Sequence, residues 1–331
     1  MKKLLNLRAA LHVAALSLLL TGLLSAPRAQ AQPVAADEFR VTLLGTGSPT
    51  PSMRRFGPGV LVQAGGKTLL FDSGRGGTQR LMQLGLQLGK VDALFLTHLH
   101  SDHVVGIPDL WLTGWLPTSY AQRKGPFVVY GPAGTKGLMD GLAQAYAWDI
   151  KARIADQGLK PEIIRAEVTE VVEGVVYEQA GVKVTAIEVD HGDLLKPAFG
   201  YRADYAGRSV TISGDTRFSE NLIKHATGTD LLIHQVGAAS EELLKIPTFK
   251  VILEHHTQPD EAAEVFNRVK PKLAVYYRFV LLGTRTIPAV TDKEVFEMTR
   301  KTYTGPLLVG EDLMAFRLDA DQVLQLPPRT P

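Results

Sequence analysis

The chain has 331 residues, 45% of them hydrophobic and 21% charged, with 31 glycines and 19 prolines. That balance excludes a disordered, collagenous or coiled-coil protein and leaves one large domain or two modest ones. The formal charge is +2, but Lys2, Lys3, Arg8 and Arg28 stand without an acid in residues 1–31, so the rest of the chain carries −2. A body without basic bias gives no electrostatic case for nucleic acid as a partner.

Lys2 and Lys3 precede the apolar run Ala9–Leu24, and Ala29-Gln30-Ala31 supplies the small residues that a signal peptidase reads. The pattern predicts a secretory signal over 1–31, cleaved after Ala31, and a mature protein of 32–331 that is periplasmic or secreted. His12 and the modest apolar length argue against an uncleaved anchor, so no stable membrane insertion is expected after cleavage. Cysteine is absent, which removes disulfides, thiolate ligands and a cysteine nucleophile.

Strands are expected at 39–44, 59–64 and 67–71, then a helix at 78–86 and a buried strand at 91–96 (VDALFL). Further apolar strands fall at 127–130, 182–189, 209–212, 230–233 and 273–277. Helical spacing marks 136–146, 259–269 and 292–303. The charged stretch 149–176 is expected to be a surface insertion. No linker or repeat interrupts the series, so a single α/β domain is expected, with strands ending in His- or Asp-bearing loops. Trp111, Trp115, Tyr120, Tyr146 and Trp148 read as core more readily than as walls of an aryl pocket. Arg54 and Arg55 read as solvated charge.

The strongest chemical signal is Thr97–His103, THLHSDH, directly after the strand at 91–96. Three histidines and an aspartate in one short loop can turn several donors toward one point, and imidazole with carboxylate suits zinc or another divalent first-row metal. His191 and Asp215 also follow apolar strands, which allows them to lie at the same sheet edge.

The H-x-H-x-D-H loop resembles the signature of the metallo-β-lactamase superfamily. The likeness runs from about Phe39 to Leu318 and is closest to the branch of ribonuclease Z, cyclic-nucleotide phosphodiesterases and metallo-type arylsulfatases. The segments that carry it are LLGTGSPTP at 43–51, FDSGRGGTQRL at 71–81, THLHSDHVVGIPDL at 97–110, VDHGDLLKPAFGYR at 189–202, SGDT at 213–216 and HTQPDEAA at 256–263. The resemblance implies an αββα sandwich, two mixed sheets face to face with helices outside and metals at one edge. It implies His98, His100 and His191 on a first metal, Asp102 and His103 on a second, and Asp215 bridging the two. His256 would aid the leaving group, with His255 as the rival should the loop shift by one, and Asp72 occupies a position usually read as structural.

Two residues depart from that pattern. The family's last metal-binding histidine falls at Arg278, with Tyr277 its neighbour, and no histidine follows His256. A guanidinium offers a metal no lone pair. Gln235 stands where a glutamate would orient the catalytic histidine. These departures predict one tight metal and a weakened second site, with Arg278 lending positive charge to an anionic substrate. The alternative for Arg278 is a solvated or acid-paired side chain.

The resulting expectation is an exported metal-dependent hydrolase of small phosphodiester or arylsulfate esters. Zinc is the expected ion, with manganese or iron as alternatives, and a homodimer is left open. Other readings are a metal-retaining degenerate enzyme or ligand-binding protein, and a lactonase or β-lactamase-type hydrolase.

Overall fold

The apolar runs of the sequence become the strands of two mixed sheets in the computed structural model, which describes residues 34, 35 and 37–328. The expected signal segment 1–31 and its cleavage point lie outside the described residues. The first sheet is built from β1 (Arg40–Gly45), β2 (Gly59–Ala64), β3 (Lys67–Phe71), β4 (Ala93–Phe95), β5 (Phe127–Gly131) and β6 (Ala166–Glu170), with β14 (Ala315–Leu318) and β15 (Val323–Gln325) beyond β1. The second holds β7 (Gly174–Gln179), β8 (Val182–Val189), β9 (Ala198–Tyr205), β10 (Arg208–Ile212), β11 (Leu231–Ala238), β12 (Leu273–Leu281) and β13 (Leu307–Val309), in the spatial order 13-12-11-10-9-8-7. β3 through β6 pair in parallel, as do β10 through β13, while the remaining neighbours are antiparallel.

Alternation along the strands decides what each sheet face meets. Leu69 and Phe71 of β3 and Phe95 of β4 join Val184, Tyr201, Ile233 and Val275 between the sheets. There Phe71 and Phe95 stack with centroids 4.9 Å apart, and Tyr201 meets Phe95 edge-on at 5.6 Å. Leu70, Leu94 and Val129 face the other way, against Leu81, Trp111 and Met139. On the far side Leu232, Val236 and Tyr276 pack on Ala262, Phe266 and Val295 of helices Pro259–Val269 and Asp292–Arg300. Burying each such aromatic or branched side chain contributes roughly 1.5–3 kcal/mol. The expected αββα sandwich is therefore present, and the described residues all fall in one compact unit. Among the described residues no helix is long and apolar enough to cross a membrane.

The stretch 149–176 differs from its expectation. It carries most of helix Ala147–Gln157, helix Pro161–Ile164, then β6 and the first half of β7, an edge strand of each sheet. An edge strand faces water on much of its surface, and its polar composition imitates a loop. Arg55 also departs from its expectation. It donates to Thr46 Oγ1 and the Gly310 carbonyl at 2.7 Å each, pairs with Asp292 at 2.9 Å and lies over the Phe279 ring. Arg54 is exposed as expected. Trp111 and Trp115 are core, whereas Trp148 is 83% exposed.

Candidate metal centre

Most residues of the anticipated site come from the end of a strand or the turn after it. β4 delivers Thr97 and His98, and the turn Ser101–Val104 carries Asp102 and His103. His191 follows β8 and Asp215 follows β10, while Gln235 and Arg278 lie within β11 and β12. His256 sits between helices Pro247–Leu253 and Pro259–Val269. Gly214 permits the turn into Asp215: its φ is +63°, and a Cβ there would stand 2.4 Å from the Phe199 carbonyl oxygen.

The loop is shaped by the turn after β3. Ser73 N–H donates to the His103 carbonyl at 2.8 Å, and Gly106 N–H donates to the Ser73 carbonyl at 2.8 Å. Asp72, whose role the sequence left structural, organises the metal-facing rings. It accepts from Thr97 N–H at 2.9 Å and from the Thr97 hydroxyl at 2.9 Å, and His103 Nδ1 lies 2.8 Å from its Oδ2. Because the Thr97 hydroxyl donates to Asp72, it can only accept from His98 Nδ1, which is 3.0 Å away. Nε2 of His98 thus keeps its lone pair. His191 is fixed similarly, its Nδ1–H donating to the His255 carbonyl at 3.0 Å.

His98 Nε2 lies 3.0 Å from His100 Nδ1, which in turn lies 3.3 Å from His191 Nε2. Two fixed lone pairs face a nitrogen that can offer at most one proton, so this cluster is short of donors. Asp215 adds a buried Oδ1 with no hydrogen-bond partner. A cation resolves this surplus of electron pairs, and nitrogens around a tetrahedral zinc at about 2.0–2.1 Å stand about 3.3 Å apart. Burial holds the His98, His100 and His191 imidazoles below their usual range, keeping them neutral and ligand-ready. The residues therefore fit one divalent metal held by His98, His100 and His191 beside Asp215.

Around Asp102 and His103 the arrangement is different. Arg278 is 2% exposed, which excludes the solvated reading. Its Nη2 lies 2.9 Å from Asp215 Oδ2 and 2.9 Å from Asp102 Oδ2, the latter contact ionic without hydrogen-bond alignment. Its Nε–H points to His103 Nε2 at 3.1 Å. Burial opposes a proton on the His103 imidazole, and the Asp72 and Asp215 carboxylates favour one. An imidazolium has no lone pair at Nε2 for Arg278 to address, and the donated hydrogen bond selects the neutral ring with its proton toward Asp72. Burial raises the Asp215 carboxyl, yet the Arg278 guanidinium holds it well below the usual carboxylate range.

His256 and Gln235 meet as anticipated. Gln235 Nε2 donates to the Thr216 carbonyl at 2.8 Å, which turns Oε1 toward His256 Nδ1 at 3.0 Å. His256 must therefore carry its proton on Nδ1. Burial pulls this imidazole down to about 3, so the ring is neutral and Nε2 bears a lone pair. Its neighbour His255 contributes its carbonyl to His191, while its ring faces Gly192.

Residues 67–277 match the family described as a beta-lactamase superfamily domain, and the chain belongs to this metallo-β-lactamase superfamily, in its ribonuclease Z-like branch. It is 36% identical over 243 residues to a ribonuclease Z of Mycolicibacterium gilvum (strain PYR-GCK), covering 73% of this chain and 84% of the relative. A ribonuclease Z of Mycobacterium marinum is 37% identical over 283 residues, covering 83% and 97%. Human tRNase Z, short form, superposes with a TM-score of 0.60 at 24% identity, over 83% of this chain and 98% of that one. The metallo-β-lactamase fold protein YhfI from Bacillus subtilis gives 0.65 at 16%, over 85% and 100%. Fold and relatives together define a hydrolase of the metallo-β-lactamase fold.

These relatives correct one expectation. The near-neutral body disfavours nucleic acid on charge alone, yet the relatives carry the name ribonuclease Z. A whole-chain charge sum averages over the surface, whereas capture of a phosphate backbone depends on local placement of basic groups.

Proposed function

We propose that this chain is a metal-dependent phosphodiesterase of the ribonuclease Z type, acting on RNA or smaller phosphodiesters. The observation that carries the proposal is the convergence of His98, His100 and His191 beside Asp215 at one sheet edge. The names of the relatives favour phosphodiesters over arylsulfates or lactams. A divalent cation at the three histidines, zinc by its donor set and manganese or iron by substitution, supplies Lewis acidity and an acidified water. Asp72, through Thr97, and the His255 carbonyl hold the imidazoles in the tautomers that such an ion requires. His256 moves the proton. Its Nδ1–H is committed to Gln235, so Nε2 takes the proton released on water attack and returns it to the leaving oxygen.

The test is turnover of bis-p-nitrophenyl phosphate, an RNA oligonucleotide and p-nitrophenyl sulfate with added zinc, with manganese and with chelator. Expected is chelator-sensitive cleavage of the phosphodiesters, abolished in His98→Ala and reduced about 10²–10⁴-fold in His256→Ala. Cleavage of the sulfate alone would replace the substrate class. A second reading, a metal-holding protein without turnover, draws on Gln235 lacking the charge that would stabilise an imidazolium. Silence from every substrate with metal bound would select it. Export through residues 1–31 completes the proposal. N-terminal sequencing of protein from the periplasm or medium should begin at Gln32, and a retained Met1 would refute cleavage.

A further inference from the structure

We propose that the Arg278 guanidinium is a built-in replacement for a second divalent cation, so that the centre holds one metal and excludes another. The inference rests on the reading of His98, His100 and His191 as a metal site, and concerns the ground beside it. Three groups could form a second site: Asp102 Oδ2, His103 Nε2 and Asp215 Oδ2. Each is already addressed by one edge of Arg278, through Nη2 to both carboxylates at 2.9 Å and through Nε to the imidazole at 3.1 Å. The lone pairs of Asp215 and His103 that would ligate an ion instead accept N–H bonds from Arg278, and Asp102 Oδ2 lies against the same guanidinium as its ion-pair partner. The residues do not fit a second metal.

The backbone is arranged to aim this side chain. β11 and β12 run in register through Gln235 and Tyr277, then resume at Val236 and Phe279, so Arg278 is the extra residue of a β-bulge. Its φ is +50°, a left-handed conformation that strains an arginine backbone. Such strain persists where surrounding contacts over-determine the residue. Here two carboxylates and a ring nitrogen pin it, and β12 lies between β11 and β13. Withdrawing the side chain to admit an ion would break its contacts with Asp215, Asp102 and His103 and move a buried guanidinium through packed sheet.

A titration separates this inference from the functional proposal. Cobalt(II), followed by its visible ligand-field bands, and zinc, measured by mass spectrometry after dialysis, should both saturate wild-type protein at one equivalent per chain. Arg278→His and Arg278→Ala should take up a second equivalent. Two tightly held metals in the wild type overturn the inference and leave the hydrolase proposal standing. One equivalent in the wild type and both variants also overturns it, since removing the guanidinium would then free no site. No metal in any of the three sinks the metal-dependent reading and the inference together. Wild-type cobalt stoichiometry needs no variant to fold, and Arg278→Ala serves should Arg278→His not.

Discussion

Gln235 Oε1 accepts the Nδ1–H of His256 at 3.0 Å while its own amide donates to the Thr216 carbonyl, so the glutamine is used at both ends. A glutamate would face Thr216 with a carboxylate oxygen where a donor is needed, but would place negative charge on the imidazole. Gln235→Glu should therefore raise the His256 pKa by about one to three units and move the acid limb of the pH–rate profile upward. It should also lower the melting temperature through the lost amide donor. An unchanged profile would show that this imidazole does not carry the proton.

Asp72 accepts two hydrogen bonds from Thr97 and lies against His103 Nδ1, all away from water. Asp72→Ala removes the acceptor for several buried donors and should cost about 3–5 kcal/mol in denaturant unfolding. Asp72→Asn should cost less. Asparagine tolerates the left-handed backbone at this position (φ 59°) and keeps one acceptor oxygen. Equal losses in the two variants would contradict an acceptor role.

His234 is fully buried, and burial pulls its imidazole from 6.5 down to about 4. The folded protein therefore resists a proton that the unfolded chain takes up readily. The stability contributed by the neutral ring is complete above pH 6.5 and is lost as pH falls from 6.5 toward 4, by about 3 kcal/mol. His234→Asn retains a donor for the Gln235 carbonyl, which His234 Nδ1 contacts at 2.6 Å, and removes the titration. Zinc-loaded protein unfolded in urea at pH 7 and pH 4.5 should show a smaller drop for the variant. Parallel curves would refute the assignment.

Gly214 combines φ +63° with the close approach of the Phe199 carbonyl. Gly214→Ala should therefore displace Asp215 and destabilise the fold by at least about 1–3 kcal/mol. Weaker zinc binding should accompany the loss, since Asp215 stands beside the three histidines. A fully stable, fully loaded variant would show that the turn can re-form elsewhere.

Much of this was legible because ligands were written where apolar strands stop. The strand at 182–189 and the helix at 259–269 match the structure residue for residue, and His98, His100, His191 and Asp215 meet as their strand-end positions implied. Edge strands were not legible, since β6 and β7 expose much of their surface and lack a continuous apolar run. Counting found Arg278, but its orientation depends on a bulge and a left-handed φ, and these are properties of paired backbones. The partners of Asp72 escaped for a related reason: Thr97 and His103 are remote in sequence and are brought to it by the pairing of β3 with β4 and the Ser73–His103 main-chain bond.

Ser73 clasps the carbonyl of His103 and the amide of Gly106, so main-chain bonds and the Asp72 carboxylate, none of them a ligand, fix the histidine loop to the first sheet. The geometry of the centre is thereby a property of the β3–β4 pairing, and damage to that clasp should loosen ion binding with every ligand still in place.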